Sequence, residues 1–347
     1  MNIIIALITS IISLISISFF DFNNNINSND GIKPIIRNII KKDDNVSVLV
    51  SAVGDCTIGS DPKYGSNGSF HSIWEQNLGD YGYFFRGVNS VLANDDLTIA
   101  NLETTFTEAT KGPSKTYHFK GPSHYSKILT AGSVEAVNIA NNHINDYYQQ
   151  GYDDTIETLM NSNISYFGES SAFIYEVKGI KIGLLGYSAF LYETIHEDIR
   201  RGIEYLKSKN VDLIFVSFHW GIEKKYRHNQ NQTNLARWTI DNGADLIIGH
   251  HPHVIQGIEE YKGKYIVYSL ANFVFGGNRN PIDKDSFIFQ IEFILKNKEI
   301  SGTNINIIPV SVSSQKGFND FQPQILSGED QSRIKEKILS DSVNFTY

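Results

Sequence analysis

From residue 46 onward, short β-branched runs alternate with longer stretches whose apolar residues recur at helical spacing. Residues 46–53, 97–100, 134–140, 211–218 and 245–248 are dominated by Val, Ile, Leu and Ala and predict strands. Each runs into a polar cluster: Gly54 and Asp55, Asn101, then Asn141, Asn142 and His143, then His219, and finally Gly249, His250 and His251. Residues 88–94, 123–131, 152–161, 199–209 and 230–242 predict helices between them. Alternation of this kind predicts an α/β domain. Residues 181–187, 265–270, 286–295 and 304–312 look more like consecutive strands. No long repeat and no Gly/Ser-rich linker interrupts the chain after residue 45, which places 46–347 in one domain.

The N-terminus breaks the pattern. Residues 3–20 carry no charged side chain. At helical rise they would span roughly 27 Å, close to a hydrocarbon core of about 30 Å. An Asn-rich polar stretch follows, so residues 21–45 predict a linker. Segment 1–20 is expected to be an uncleaved single-pass membrane anchor or a cleaved signal peptide. The run lacks an A-x-A-like cleavage site and has no Lys or Arg ahead of it, which favours the anchor. The domain is then expected on the extracellular side of the cell membrane, with a secreted protein as the alternative. Lys33, Arg37, Lys41 and Lys42 lie downstream, against the positive-inside preference.

Composition narrows the classes. With 41% apolar residues among 347, the chain can fill a core, which excludes wholesale disorder. Thirty basic against 38 acidic residues give a net charge of −8, which disfavours a dedicated nucleic-acid binder. Cys56 is the sole cysteine, so no intramolecular disulfide holds the fold. It fits a small buried residue.

The candidate chemistry sits at the strand ends. Asp55, Glu103, Asn142, His143, His219, His251 and His253 all fall just past the carboxyl ends of predicted strands, the edge where open α/β sheets bind ligands. Oxygen and imidazole donors without a thiolate suit Mn²⁺, Fe²⁺ or Zn²⁺. In an extended segment His251 and His253 would face opposite ways. A tight turn at Pro252 would aim both at one site or at two adjacent metals. Taken singly, His219 also fits a core histidine, Asp55 a helix N-cap and Glu103 a surface carboxylate. Lys224, Lys225 and Arg227 follow His219 and by themselves fit a solvated charge run.

Six segments resemble those of the CapA (PgsA-type) poly-γ-glutamate capsule synthesis proteins, within the metallophosphoesterase-like superfamily. They are residues 53–59 (VGDCTIG), 101–103 (NLE), 139–143 (IANNH), 217–221 (SFHWG), 249–254 (GHHPHV) and 268–275 (YSLANFVF). The resemblance implies a four-layered α/β sandwich with a metal site at the strand ends. It implies Asp55 and Glu103 in the first metal positions, Asn142 as a ligand, and His143 as the catalytic or phosphate-orienting residue. His219, His251 and His253 would complete one or two metal sites. The usual D-x-H opening is changed, since Cys56 and Thr57 follow Asp55. Implied partners are poly-γ-glutamate or another anionic polymer, with Lys224, Lys225 and Arg227 as its candidate contacts, the membrane, and membrane-bound synthesis or export subunits. Three functions stay open: a capsule-synthesis accessory protein, a cell-surface hydrolase of phosphoesters or of the polymer, and a non-catalytic binding module with a degenerate metal site.

Overall fold

In the computed structural model, which describes residues 45–346, the first predicted strand is longer than its β-branched run and spans Asn45–Thr57. Every residue from Val50 onward is buried, since apolar layers cover both faces of the strand there. The strand runs parallel to Leu97–Leu102, which pairs with Ala136–Asn138, which pairs with Ser165–Phe167. On its other side it pairs antiparallel with Asp285–Lys296, followed by Glu299–Ser311 and the short Gln324–Ile325. Asn272–Phe275 adds in parallel to the end of the first strand. In the second sheet, Lys264–Leu270, Leu246–His250, Leu213–His219 and Ile180–Ser188 run parallel. Ile255–Tyr261 and Phe173–Val177 close its edges antiparallel.

The two sheets pack face to face. Val50, Ile99 and Phe289 from the first meet Ile182, Ile248 and Val267 from the second, and the rings of Phe215 and Phe293 stack at 5.3 Å. Helices Ser126–Ala131 and Tyr148–Asn161 bury Ile128, Leu129 and Leu159 against the outer face of the first sheet. Helices His196–Ser208 and Gln230–Asn242 bury Ile199, Ile203, Leu235 and Ile240 against the second. The architecture is α/β, as expected. The N-terminal anchor or signal segment and, apart from Asn45, the linker lie outside the described residues. Among the described residues no helix is long and apolar enough to cross a membrane.

Local chemistry explains which helices have the expected bounds. Gln230–Asn242 begins at a capping box in which Asn229 and Gln232 satisfy each other's backbone N–H groups. It stops at Gly243, whose φ of 120° suits glycine. Segment 88–94 has no side-chain cap and forms only the single turn Asn89–Leu92. Segment 123–131 divides into a 3₁₀ turn, Ser123–Tyr125, and a short helix. Helices Phe70–Gln76 and Gly328–Leu339 were not expected.

The carboxyl ends of both sheets meet at one edge. Register pairs Asp55 with Asn101 and Asn101 with Asn138 in the first sheet, and His250 with His219 in the second. The sheets close tightly there because residue 186 is glycine: a Cβ would lie 2.0 Å from Asn138 Oδ1. Phe215→Ala, in the layer between the sheets, is expected to cost about 3–5 kcal/mol of unfolding free energy. Leu191→Ala, on the surface, should stay within about 0.5 kcal/mol. Denaturant midpoints at unchanged slope measure both.

Candidate metal centre

Asp55 lies in the buried part of the first strand, two residues before its end, and its carboxylate is wholly enclosed. Oδ1 accepts a 2.8 Å hydrogen bond from Asn101 Nδ2, and Oδ2 accepts one of 3.3 Å from the His251 backbone N–H. His250 Nδ1 lies 3.5 Å from Oδ1, and His253 Nδ1 lies 3.2 Å from Oδ2. Behind this pair runs a ladder of buried amides. Asn138 Nδ2 donates to Asn101 Oδ1 at 2.9 Å, and Asn141 Nδ2 donates to the Leu102 carbonyl at 2.9 Å.

Glu103 sits one residue past the second strand and is also fully buried. Neither of its carboxylate oxygens has a hydrogen-bond partner. Three imidazole nitrogens surround Oε1: His219 Nε2 at 3.5 Å, His253 Nε2 at 3.7 Å and His143 Nε2 at 3.9 Å. These distances are too long for hydrogen bonds. They are up to a few tenths of an ångström longer than the roughly 3–3.6 Å between ligands that sit about 2.0–2.2 Å from one Zn²⁺, so a slight inward closure would let these atoms share an ion. Three donor sets draw together: Glu103, His219 and His251; Asp55, Glu103 and His253; and Glu223, His251 and His253. The residues present therefore fit one or two divalent cations.

The turn that places His251 and His253 uses left-handed backbone at both, with φ of 94° and 57°. It brings the two rings to 5.8 Å between centroids, with His219 at 4.8 Å from His251. His253 Nδ1 is 2.9 Å from Asn272 Oδ1, which fixes the ring and leaves Nε2 toward Glu103. His219 Nε2 pairs with Asn142 Oδ1 at 2.8 Å, so Asn142, although exposed, joins the cluster. His143 stacks on Phe119 at 4.3 Å, and its Nδ1 meets Asp146 Oδ2 at 2.7 Å. That pairing sets the tautomer and directs Nε2 into the centre.

All seven strand-end candidates thus gather at one edge. Among the cations after His219, Lys224 lines a cavity of about 550 Å³ that His143 and His253 also border. Lys225 and Arg227 line a different pocket, with Ile222 and Gln232. Cys56 is buried, and burial pushes its thiol up to about 12. Residues not anticipated from the sequence include Glu223, Asn272, Asp146 and Lys115. Lys115 Nζ donates to the Asn142 carbonyl at 2.8 Å and pairs with Asp146. The spacing of His143 and Asp146, three residues apart, was the one local signal for the Asp–His pair.

A site of carboxylates and imidazoles at the joined strand ends of two sheets defines the class: an α/β protein with residues that could hold a divalent metal. Residues 49–277 match the family described as Bacterial capsule synthesis protein PGA_cap, and the chain belongs to that family. It is similar to "Capsule biosynthesis protein CapA" of Bacillus anthracis, with 29% identity over 87% of this chain and 75% of that protein. It is also similar to "PGA biosynthesis protein CapA" of Bacillus subtilis (strain 168), with 32% identity over 55% of this chain and 56% of that protein. A hypothetical protein from Thermus thermophilus superposes with a TM-score of 0.47 at 13% identity, covering 76% of this chain and 99% of that one, a likeness too loose to carry an argument.

Charge in the centre is set by burial against close partners. Burial opposes ionisation of Asp55, but the neighbouring imidazoles of His250 and His253 hold it well below the usual carboxylate range. Burial pushes Glu103 well above that range; His253 pulls it down and Asp55 pushes it further up. Burial lowers His219 and His143, and lowers His251 to about 4. Burial also opposes a charge on His253, but Glu103 and Asp55 outweigh it and raise the ring to about 10. In chelator-treated protein, imidazole NMR resonances should show His251 neutral down to about pH 4 and His253 protonated up to about pH 10. The sign for stability follows: His251 is neutral when folded and binds protons more readily when unfolded. Its contribution is present above an unfolded value of about 6.5 and is lost as pH falls from there through about 4. His251→Asn should flatten the wild-type stability loss across that window.

Proposed function

We propose that this chain is a metal-dependent participant in poly-γ-glutamate capsule synthesis, held at the outer face of the cell membrane by its N-terminal segment. Family membership and the similarity to the two Bacillus CapA proteins support the pathway. The observation that carries the metal reading is Glu103, a fully buried carboxylate with no hydrogen bond and three imidazole nitrogens within 3.9 Å of Oε1. Asp55, Glu103, His219, His251 and His253 would hold Mn²⁺, Fe²⁺ or Zn²⁺ in a metallophosphoesterase-like site, with Asn142 beside His219. A bound divalent ion supplies Lewis acidity there. Lys224 borders the adjoining cavity, and in this reading it would meet an anionic group there.

A second reading, a cell-surface hydrolase, has one observation in its favour. Asp146 holds His143 with Nε2 facing Glu103, the arrangement a general acid or base needs. Phe119 covers one face of the imidazole, which keeps bulk water from that side.

Metal content of the purified full-length protein tests the first reading. Wild type should retain divalent metal, and Glu103→Gln should bind at least about tenfold more weakly. Affinity should rise with pH, because His253 must release its proton to ligate. In a strain lacking the protein, the wild-type gene should restore surface polymer and the Glu103→Gln gene should not. Equal, negligible metal in both proteins would defeat the metal reading. Undiminished polymer without the protein would defeat the capsule reading.

A further inference from the structure

The cavity beside the metal centre carries a feature that a site for a polyanion does not require. Tyr64, Tyr117, Phe119 and His143 form a continuous row of rings, with successive centroids 6.4, 6.2 and 4.3 Å apart. The last two steps are stacked, with interplanar angles of 22° and 30°. A second branch leads from Phe119 through Phe275, 6.4 Å away, to His253, a further 5.2 Å. The row begins at the surface, where Tyr64 and Tyr117 are 50% and 45% exposed, and ends in the centre. Lys63 Nζ stands 4.8 and 4.6 Å from the two tyrosine centroids and fixes the pair in place.

We propose that this cavity binds a neutral pyranose chain by its ring faces, placing a glycan beside His143 and His253. The inference goes beyond the poly-γ-glutamate reading of the metal centre and concerns the cavity that adjoins it. Aromatic rings that are held rigidly and half exposed offer flat apolar area at low entropic cost. The C–H faces of a pyranose fit that area. At the outer end of the row the neighbouring cations are already engaged, which leaves ring faces as the binding surface there. Lys63 pairs with Asp61 at 2.9 Å. Arg279 donates to the carbonyl oxygens of Tyr64 and Gly65. Lys224 adjoins Glu223, whose carboxylate joins the His251 and His253 donor set. The volume, about 550 Å³, lies within the roughly 300–1,000 Å³ usual for small-ligand sites.

Calorimetric titration of the metal-loaded full chain with N-acetylchitotetraose, cellotetraose and a γ-glutamate tetramer tests this. Saturable binding of one or both saccharides is expected, and their ratio reports whether the acetamido group is read. Tyr117→Ala should weaken that binding about tenfold, and Tyr117→Phe should keep it, since the ring face and not the hydroxyl makes the contact. Glu103→Gln should lose metal yet keep saccharide binding, which separates this proposal from the metal reading. Absence of saccharide binding by wild type at millimolar concentration would overturn it. So would saccharide binding that is indifferent to Tyr117→Ala.

Discussion

Two carboxylates buried at the seam between two sheets set the terms for the rest of this molecule. Removing a carboxylate from water costs several kcal/mol unless partners compensate. Asp55 is compensated by an amide, a backbone N–H and two imidazoles. Glu103 has only imidazole nitrogens at 3.5 to 3.9 Å, beyond hydrogen-bond reach. A buried acid without a partner is rare in native structures and calls for a reason. A cation between Glu103 and the imidazoles supplies one, because it would replace the lost hydration and hold the acid ionised.

The backbone around these acids is shaped to the same end. His251, His253 and Ala271 all adopt positive φ, at 94°, 57° and 63°, a conformation that costs roughly 1–3 kcal/mol for a residue with a Cβ. Strain of this kind persists where surrounding packing enforces it, and here it turns two rings toward one point. Gly54 and Gly249 serve that packing. A Cβ on Gly54 would sit 2.1 Å from the Ala271 carbonyl oxygen, and one on Gly249 would sit 2.0 Å from that of Tyr268. The glycine ahead of Asp55 and the glycine ahead of the histidine run are therefore close-approach positions, which let strands meet tightly enough to bring the donors together.

Much of this was legible because the chemistry begins where apolar runs end. The strand ends near Asp55, Asn101 and His219 are visible as abrupt changes from apolar to polar residues, within two residues of the observed ends at Thr57, Leu102 and His219. The helix at 230–242 was legible to the residue, since a capping box and a glycine punctuate it. Features that depend on distant chain segments were not. Lys115 reaches Asp146 from a separate loop, and nothing at position 115 marks it. Glu223 joins the donor set although it is exposed in a run of charged residues. Helix Gly328–Leu339 buries only Ile334 and Ile338, too sparse a stripe to stand out from its charged surroundings.

The donors are divided between the sheets, and that division has a physical consequence. Asp55 and Glu103 come from the first sheet and the turn after its second strand, whereas His219, His251 and His253 come from the ends of the second. Neither sheet alone presents a complete set. The centre exists only once the layer containing Phe215 and Phe293 has packed, so the interior that joins the sheets is also what assembles the site. The converse holds for any cation bound there. It would bridge the sheets at the end where Gly186 lets Asn138 approach, and would stabilise the docked state by its binding free energy, in proportion to the logarithm of its concentration above Kd.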